Sequence, residues 1–209
     1  MQQTPNTRAA LGFRAHSGWA AMVVLAGPPD SPTILDRRRI EIADPRITGS
    51  RQPYHAAEGQ PLEKAEKLVN TCIESSTRLA KGAVQATIVD AGQQGYRIAV
   101  AGILTGSGKP IPALDKILAS HPMLHMAEGE LFRNVIIAAC ESSGLSVRAV
   151  PEKVLLAQCP AELGIAETVV QQHLARMGKA IGSPWRQDEK FATLVAWMAL
   201  AKGVGARTT

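Results

Sequence analysis

The sequence predicts an α/β fold: a central mixed sheet of about five strands, three antiparallel first and then parallel, flanked by helices. Three observations predict it. Ala9–Gly27 holds two apolar runs around a small, turn-permissive Ala15-His16-Ser17-Gly18, and a third strand pattern follows at Thr33–Ile42. Leu62 to about Asp90 carries one continuous helical stripe. Beyond it, short apolar runs at Tyr96–Leu104 and Leu145–Val150 alternate with helical segments, the order expected of crossover-connected parallel strands.

Met1–Arg8 is polar and is expected to be a disordered tail, as is the segment 203–209, which leaves 9–202 as a single domain. Leu11 and Phe13 begin the first strand. Trp19–Leu25 is apolar and partly β-branched, which suits a second, buried strand. Gly27-Pro28-Pro29-Asp30-Ser31-Pro32 is a turn, because proline fixes φ and removes a donor. Within Thr33–Ile42, the period of two puts Ile34, Ile40 and Ile42 on one face and Arg37 and Arg39 on the other. Asp44–Gly59 reads as a loop.

In the long helix, Ala65, Leu68, Val69, Cys72, Ile73, Ser76, Leu79, Ala80, Ala83, Val84, Thr87 and Ile88 recur at steps of three and four, with Pro61 at the start and Gly92 near the end. Thr105–Pro112 is a loop. A helix from about Met126 to Glu141 carries Leu131, Val135, Ile136, Ala139 and Cys140, and Gly144 ends it. Pro151 stops the strand that follows. Two helical stretches, Pro151–Gln158 and Pro160–Ala180, come next. Pro184 then precedes a last helix, Asp188–Lys202, with Phe191, Leu194, Val195 and Met198 inward.

A chain of 209 residues can bury a sizeable core, removing on the order of 70% of its unfolded surface from water. Aromatic residues make up only 4% of it, so that core is aliphatic and alanine-rich. The net charge of +5 permits contact with nucleic acid or anionic surfaces, although charge alone speaks to solubility and steering. Cys72, Cys140 and Cys159 show neither metal-ligand spacing nor a disulfide framework, and reduced core thiols in a cytoplasmic protein are the simplest account. No apolar run reaches the ~18 residues of a membrane span. Gly18–Gly27 after Arg8 and Arg14 has the outline of a short secretory signal, against which Pro28-Pro29 makes a poor cleavage site.

Three stretches carry a resemblance. Gly12-Phe-Arg-Ala-His-Ser-Gly18-Trp, Ala127–Val150 and Pro184–Leu200 together resemble the first-strand motif, a helix–strand unit and the C-terminal helix of the ribonuclease H-like fold, most closely of RuvC-type Holliday-junction resolvases. The resemblance implies two-metal phosphodiester hydrolysis, in which clustered carboxylates hold Mg²⁺ ions that activate water and stabilise the leaving oxygen. It also implies acids at matching positions. The first-strand position is Arg14, not aspartate; Ala99–Leu104 offers no acid at the end of the fourth strand; Asp188 matches one acid of the last helix, and Phe191 stands where its partner belongs. A guanidinium repels Mg²⁺. The expectation is a non-catalytic relative, a binding or scaffold protein, with a structure-selective nucleic-acid binder or a nuclease with relocated acids as alternatives. Nucleic acid and a second copy of the chain are the candidate partners, and no cofactor or metal is assigned.

The resemblance places Arg14, His16, Ser17 and Asp188 together at the active-site position of the family. Two accounts compete there: a Ser-His-Asp nucleophile, and an Arg14–Asp188 ion pair filling a vacated metal site, which is preferred. Elsewhere, Arg37, Arg38 and Arg39 form the densest basic cluster and suit either phosphate contact or a charged strand edge. His121, His125, Glu128 and Glu130 have helix-like spacing that suits Zn²⁺, but Pro122 puts His121 at or before the helix start, so the two histidines need not share a face. Gly102–Lys109 is no phosphate loop. Five residues separate its first glycine from Gly108 where a phosphate loop has four, and Pro110 replaces the Ser/Thr that would bind magnesium.

Overall fold

Strands β1 (Thr7–His16) and β2 (Trp19–Ala26) form the expected hairpin in a computed structural model that describes residues 7–106, 108 and 110–202. The chain reverses at Ser17-Gly18, where Gly18 takes a φ of +81°, a left-handed conformation that glycine adopts without a Cβ clash. The expected tails fall outside the described residues, except that Thr7 and Arg8 already belong to β1. Residues 107 and 109 of the rejected phosphate loop also lie outside them.

The chain continues through β3 (Thr33–Glu41), α1 (Pro53–Ala57), α2 (Leu62–Gln93), β4 (Tyr96–Thr105), α3 (Leu114–Leu118) and α4 (His121–Ser142). It ends with β5 (Ser146–Pro151), a 3-10 turn at Glu152–Val154, α5 (Leu155–Leu163), α6 (Glu167–Ile181) and α7 (Gln187–Lys202). The strands make one five-stranded sheet in the order β3-β2-β1-β4-β5. The first three are antiparallel; β1 with β4 and β4 with β5 are parallel, as the sequence predicts.

Both faces of the sheet are covered, which explains the unbroken apolar runs in β1 and β2. Leu11, Phe13, Met22 and Ile103 pack with Val69 and Val84 of α2 and Phe132 and Ile136 of α4. On the other face, Ala10, Val23, Leu25 and Val100 pack with Val195, Trp197 and Leu200 of α7, and α6 adds Val170 and Leu174. Helix α7 lies almost against the backbone of the sheet. A Cβ on Gly12 would sit 1.9 Å from the Ala192 carbonyl oxygen, and one on Gly102 2.3 Å from that of Val195. These two glycines are register partners in β1 and β4, so together they make the trough in which α7 rests.

Five local expectations are corrected. The β2–β3 register shifts between Val24 and Leu25, an irregularity that turns Ile34 to the α7 core while Ile40 and Ile42 stay with α2. The 44–59 loop contains α1, whose first residue, Pro53, supplies a preset φ. Helix α4 begins at His121 rather than Met126, because Pro122 is tolerated in a first turn. After β5 the helix break comes at Gly164, not Pro160: Gly164 takes a φ of +67° and caps α5, which contains Pro160. In α7, Leu194, Val195 and Met198 are buried as expected, but so is every residue from Ala192 to Leu200, since sheet and outer helices enclose it.

Candidate functional site

Alternation along β1 sends Leu11 and Phe13 to the α2/α4 face and Gly12, Arg14 and His16 to the face under α7. The glycine trough brings down the first turn of α7 with Asp188. Since β1, β4 and β5 run parallel, the residue just after β5, Glu152, reaches the same end of the sheet. Three elements therefore converge on Arg14.

Its guanidinium is shared between two acids. Arg14 Nε and Nη2 donate to Glu152 Oε2 and Oε1 at 3.0 and 2.6 Å, and Nη1 donates to Asp188 Oδ1 at 2.6 Å. Paired forks of this kind are the strong form of the arginine–carboxylate bond. The Phe191 ring lies 5.1 Å from Arg14 Cζ. His16 Nε2 lies 2.8 Å from the same Asp188 oxygen, and because a carboxylate only accepts, that nitrogen carries the proton. Burial acts to lower the Arg14 pKa, but the Glu152 and Asp188 carboxylates outweigh it and hold the guanidinium above its usual range. At Asp188 burial acts to raise the pKa, and His16 and Arg14 prevail, keeping it below the ordinary carboxylate range.

The site extends sideways across the sheet. The His16 and Trp19 rings stack with centroids 4.3 Å apart at 13°, and Arg39 Cζ lies 3.7 Å from the Trp19 ring centroid. His16, Trp19 and Arg39 come from β1, β2 and β3, so the indole is flanked by an imidazole and a guanidinium. Ser17 is exposed in the turn and has no side-chain hydrogen bond among the described residues, so the structure does not join it to His16 and Asp188 as a nucleophile.

The three arginines of β3 have separate surroundings. Arg37 donates to the carbonyls of Gly182 and Ser183, each at 2.9 Å, and to that of Pro184, which ties the edge strand to the α6–α7 loop. Arg38 bridges Asp36 and Asp90. Arg39, about half exposed, pairs with Glu41 at 2.6 Å.

At the start of α4, His121 and His125 do share a face, with Nε2 atoms 3.1 Å apart. Glu128 points inward, and its Oε1 accepts from the backbone N–H groups of Tyr54 and His55 and lies 3.2 Å from His55 Nδ1. Glu130 pairs instead with Arg133 at 2.9 Å.

No protein-family model and no curated protein matches the chain. Solved structures do. The Thermus thermophilus RuvC structure superposes with a TM-score of 0.54 at 9% identity, covering 94% of this chain and 96% of that one. T. thermophilus RuvC in complex with Holliday junction substrate gives 0.52 at 10% identity, with coverage of 95% and 96%. The fold is RuvC-like.

The sequence resemblance implies Mg²⁺ at the end of β1, and the donor set there does not suit it. Mg²⁺ requires hard oxygen ligands in near-octahedral array. Both Glu152 oxygens and Asp188 Oδ1 are engaged by Arg14, whose positive charge stands between them. The cluster at this end of the sheet is built around a cation that belongs to the chain.

Sequence reasoning found Arg14, His16 and Asp188 but missed Glu152, Trp19 and His55. A signal for Glu152 was present: a short strand stopped by Pro151, beside the first parallel pair, delivers its next residue to the rim where ligands of α/β sheets gather. No comparable local signal marked His55.

Proposed function

We propose that this protein is a non-catalytic, RuvC-like nucleic-acid-binding scaffold in which Arg14 has replaced the metal centre. One observation carries the reading: the guanidinium held by Glu152 and Asp188 at 2.6 to 3.0 Å, at the sheet end where the resemblance puts Mg²⁺. The ligand class rests on the net charge of +5 and on the likeness to a RuvC solved with Holliday junction substrate. Phosphate contact on β3 falls to Arg39, the exposed one of the three, whose one ion pair among the described residues is with Glu41, whereas Arg37 is tied to backbone carbonyls and Arg38 to two carboxylates. The three free, buried cysteines support a cytoplasmic setting. No described helix is long and apolar enough to cross a membrane.

A nuclease with relocated acids is the second reading, favoured by the convergence of Glu152 and Asp188 and opposed by the cation between them.

Binding of four-way-junction and duplex DNA across a salt series tests the proposal. Preference for the junction is expected, with log affinity falling linearly in log salt, and Arg39→Ala reducing the slope by about 0.9. No affinity for either DNA at low salt would remove the nucleic-acid reading. Sedimentation of the complexes reads whether one copy or two is bound.

A further inference from the structure

The inner face of α1 and the first two turns of α4 bring together three histidines that the Arg14 site does not use. One ring nitrogen from each of His55, His121 and His125 lies within 4.8 Å of the others. His121 and His125 stand one helical turn apart on α4, which puts them on one face, and their Nε2 atoms are 3.1 Å apart. Ring centroids of His55 lie 4.7 Å from His125 and 5.4 Å from His121.

His55 supplies the second, independent observation. Its Nε2 is buried without a hydrogen-bond partner among the described residues, while its Nδ1 faces Glu128 Oε1 at 3.2 Å. A buried ring nitrogen left without a partner is costly in a dry interior. The Glu128 carboxylate accepts from Nδ1–H and so leaves the Nε2 lone pair free, which is the tautomer a metal needs and the usual carboxylate–histidine–metal arrangement.

We propose that His55, His121 and His125 form a three-histidine Zn²⁺ site, with Glu128 orienting His55 from behind. Two imidazole nitrogens on a tetrahedral zinc, each about 2.0–2.1 Å from the ion, lie about 3.4 Å apart. The His121–His125 pair is close to that already, and both rings are on the exposed side of the site, where they can turn to complete it. All three donors are nitrogen, which favours Zn²⁺ and other late first-row ions over Mg²⁺ or Ca²⁺. With three protein ligands, one position stays open to water or an anion. The site is a separate one from the Arg14 cluster and its test is independent of DNA binding.

Full-length protein without an affinity tag, stripped by chelator, is titrated with Zn²⁺ by calorimetry. One equivalent is expected to bind, and Co²⁺ is expected to give the visible bands of a low-coordinate nitrogen site. His125→Ala, at an exposed position, is expected to abolish stoichiometric uptake, and Glu128→Gln to weaken it roughly 10–100-fold. In the unsubstituted protein, Zn²⁺ is expected to shift the ring ¹⁵N resonances of three of the five histidines. No stoichiometric uptake, uptake unchanged in His125→Ala, or ring shifts confined to two histidines would overturn the proposal.

Discussion

Arg14 Nη1 meets Asp188 Oδ1 at 2.6 Å, joining the end of the first strand to the first turn of the last helix across 174 positions of sequence. The same oxygen is also 2.8 Å from His16 Nε2, so one carboxylate orders two side chains of β1. Asp188 thus belongs to the fold as much as to the site. Its position near the N-terminus of α7 favours the charged form further.

Arg14→Met keeps much of the side-chain volume and removes every donor. Glu152 and Asp188 then face each other without a cation between them. The substitution is expected to lower stability by about 1–3 kcal/mol, the usual result of stripping a partner from half-buried polar groups. Urea unfolding reads the change, and Arg14→Lys is expected to restore only part of it, since an ammonium cannot fork.

Asp188 titrates below its ordinary range in the folded chain: burial acts to raise it, and the bonds from His16 and Arg14 win. Its contribution to stability is therefore complete above the unfolded carboxyl value of about 3.9 and is lost as pH falls through the lower folded value. Acidification below about pH 4 should lower the urea midpoint of the unsubstituted protein. Asp188→Asn should begin lower at neutral pH and fall less steeply in that window. Parallel acid limbs for the two proteins would contradict this account of the pair.

Gly12→Ala tests the trough under α7. The new methyl would lie 1.9 Å from the Ala192 carbonyl oxygen and 2.7 Å from the Ala196 Cβ, and neither backbone nor Cβ can swing away. Relief requires lifting α7 from the sheet. A loss of about 3 kcal/mol or more is expected, at the upper end for overpacking, read by thermal or urea unfolding.

The Trp19 indole between His16 and Arg39 predicts a smaller effect. Trp19→Ala removes a stacked pair and a cation–π contact, and about 1–2 kcal/mol of stability is expected to go with them. The double substitution Trp19→Ala/Arg39→Ala should cost less than the sum of the single changes, because the residues touch.

Much of the fold was legible because it is written in local periodicity. The β1–β2 hairpin and α2 declare themselves through alternation and a three-four stripe, and both stand where the sequence predicts them. What depends on one inserted residue or five was not legible. The register shift beside Leu25 reverses the face of Ile34, and α1 hides as five residues in a polar loop. The site divides in the same way. Arg14, His16 and Asp188 sit in stretches whose resemblance could be seen, whereas Glu152 and His55 reach their partners only through strand order and helix packing. Contacts between residues this distant in sequence leave no spacing to read.

The central claim is that a guanidinium has taken the place of catalytic magnesium, and turnover tests it most directly. Full-length protein is incubated with labelled four-way-junction DNA and saturating Mg²⁺ or Mn²⁺, and strand scission is followed on denaturing gels. The account predicts no cleavage above the protein-free control. Metal-dependent scission that disappears in Glu152→Gln or Asp188→Asn would contradict it.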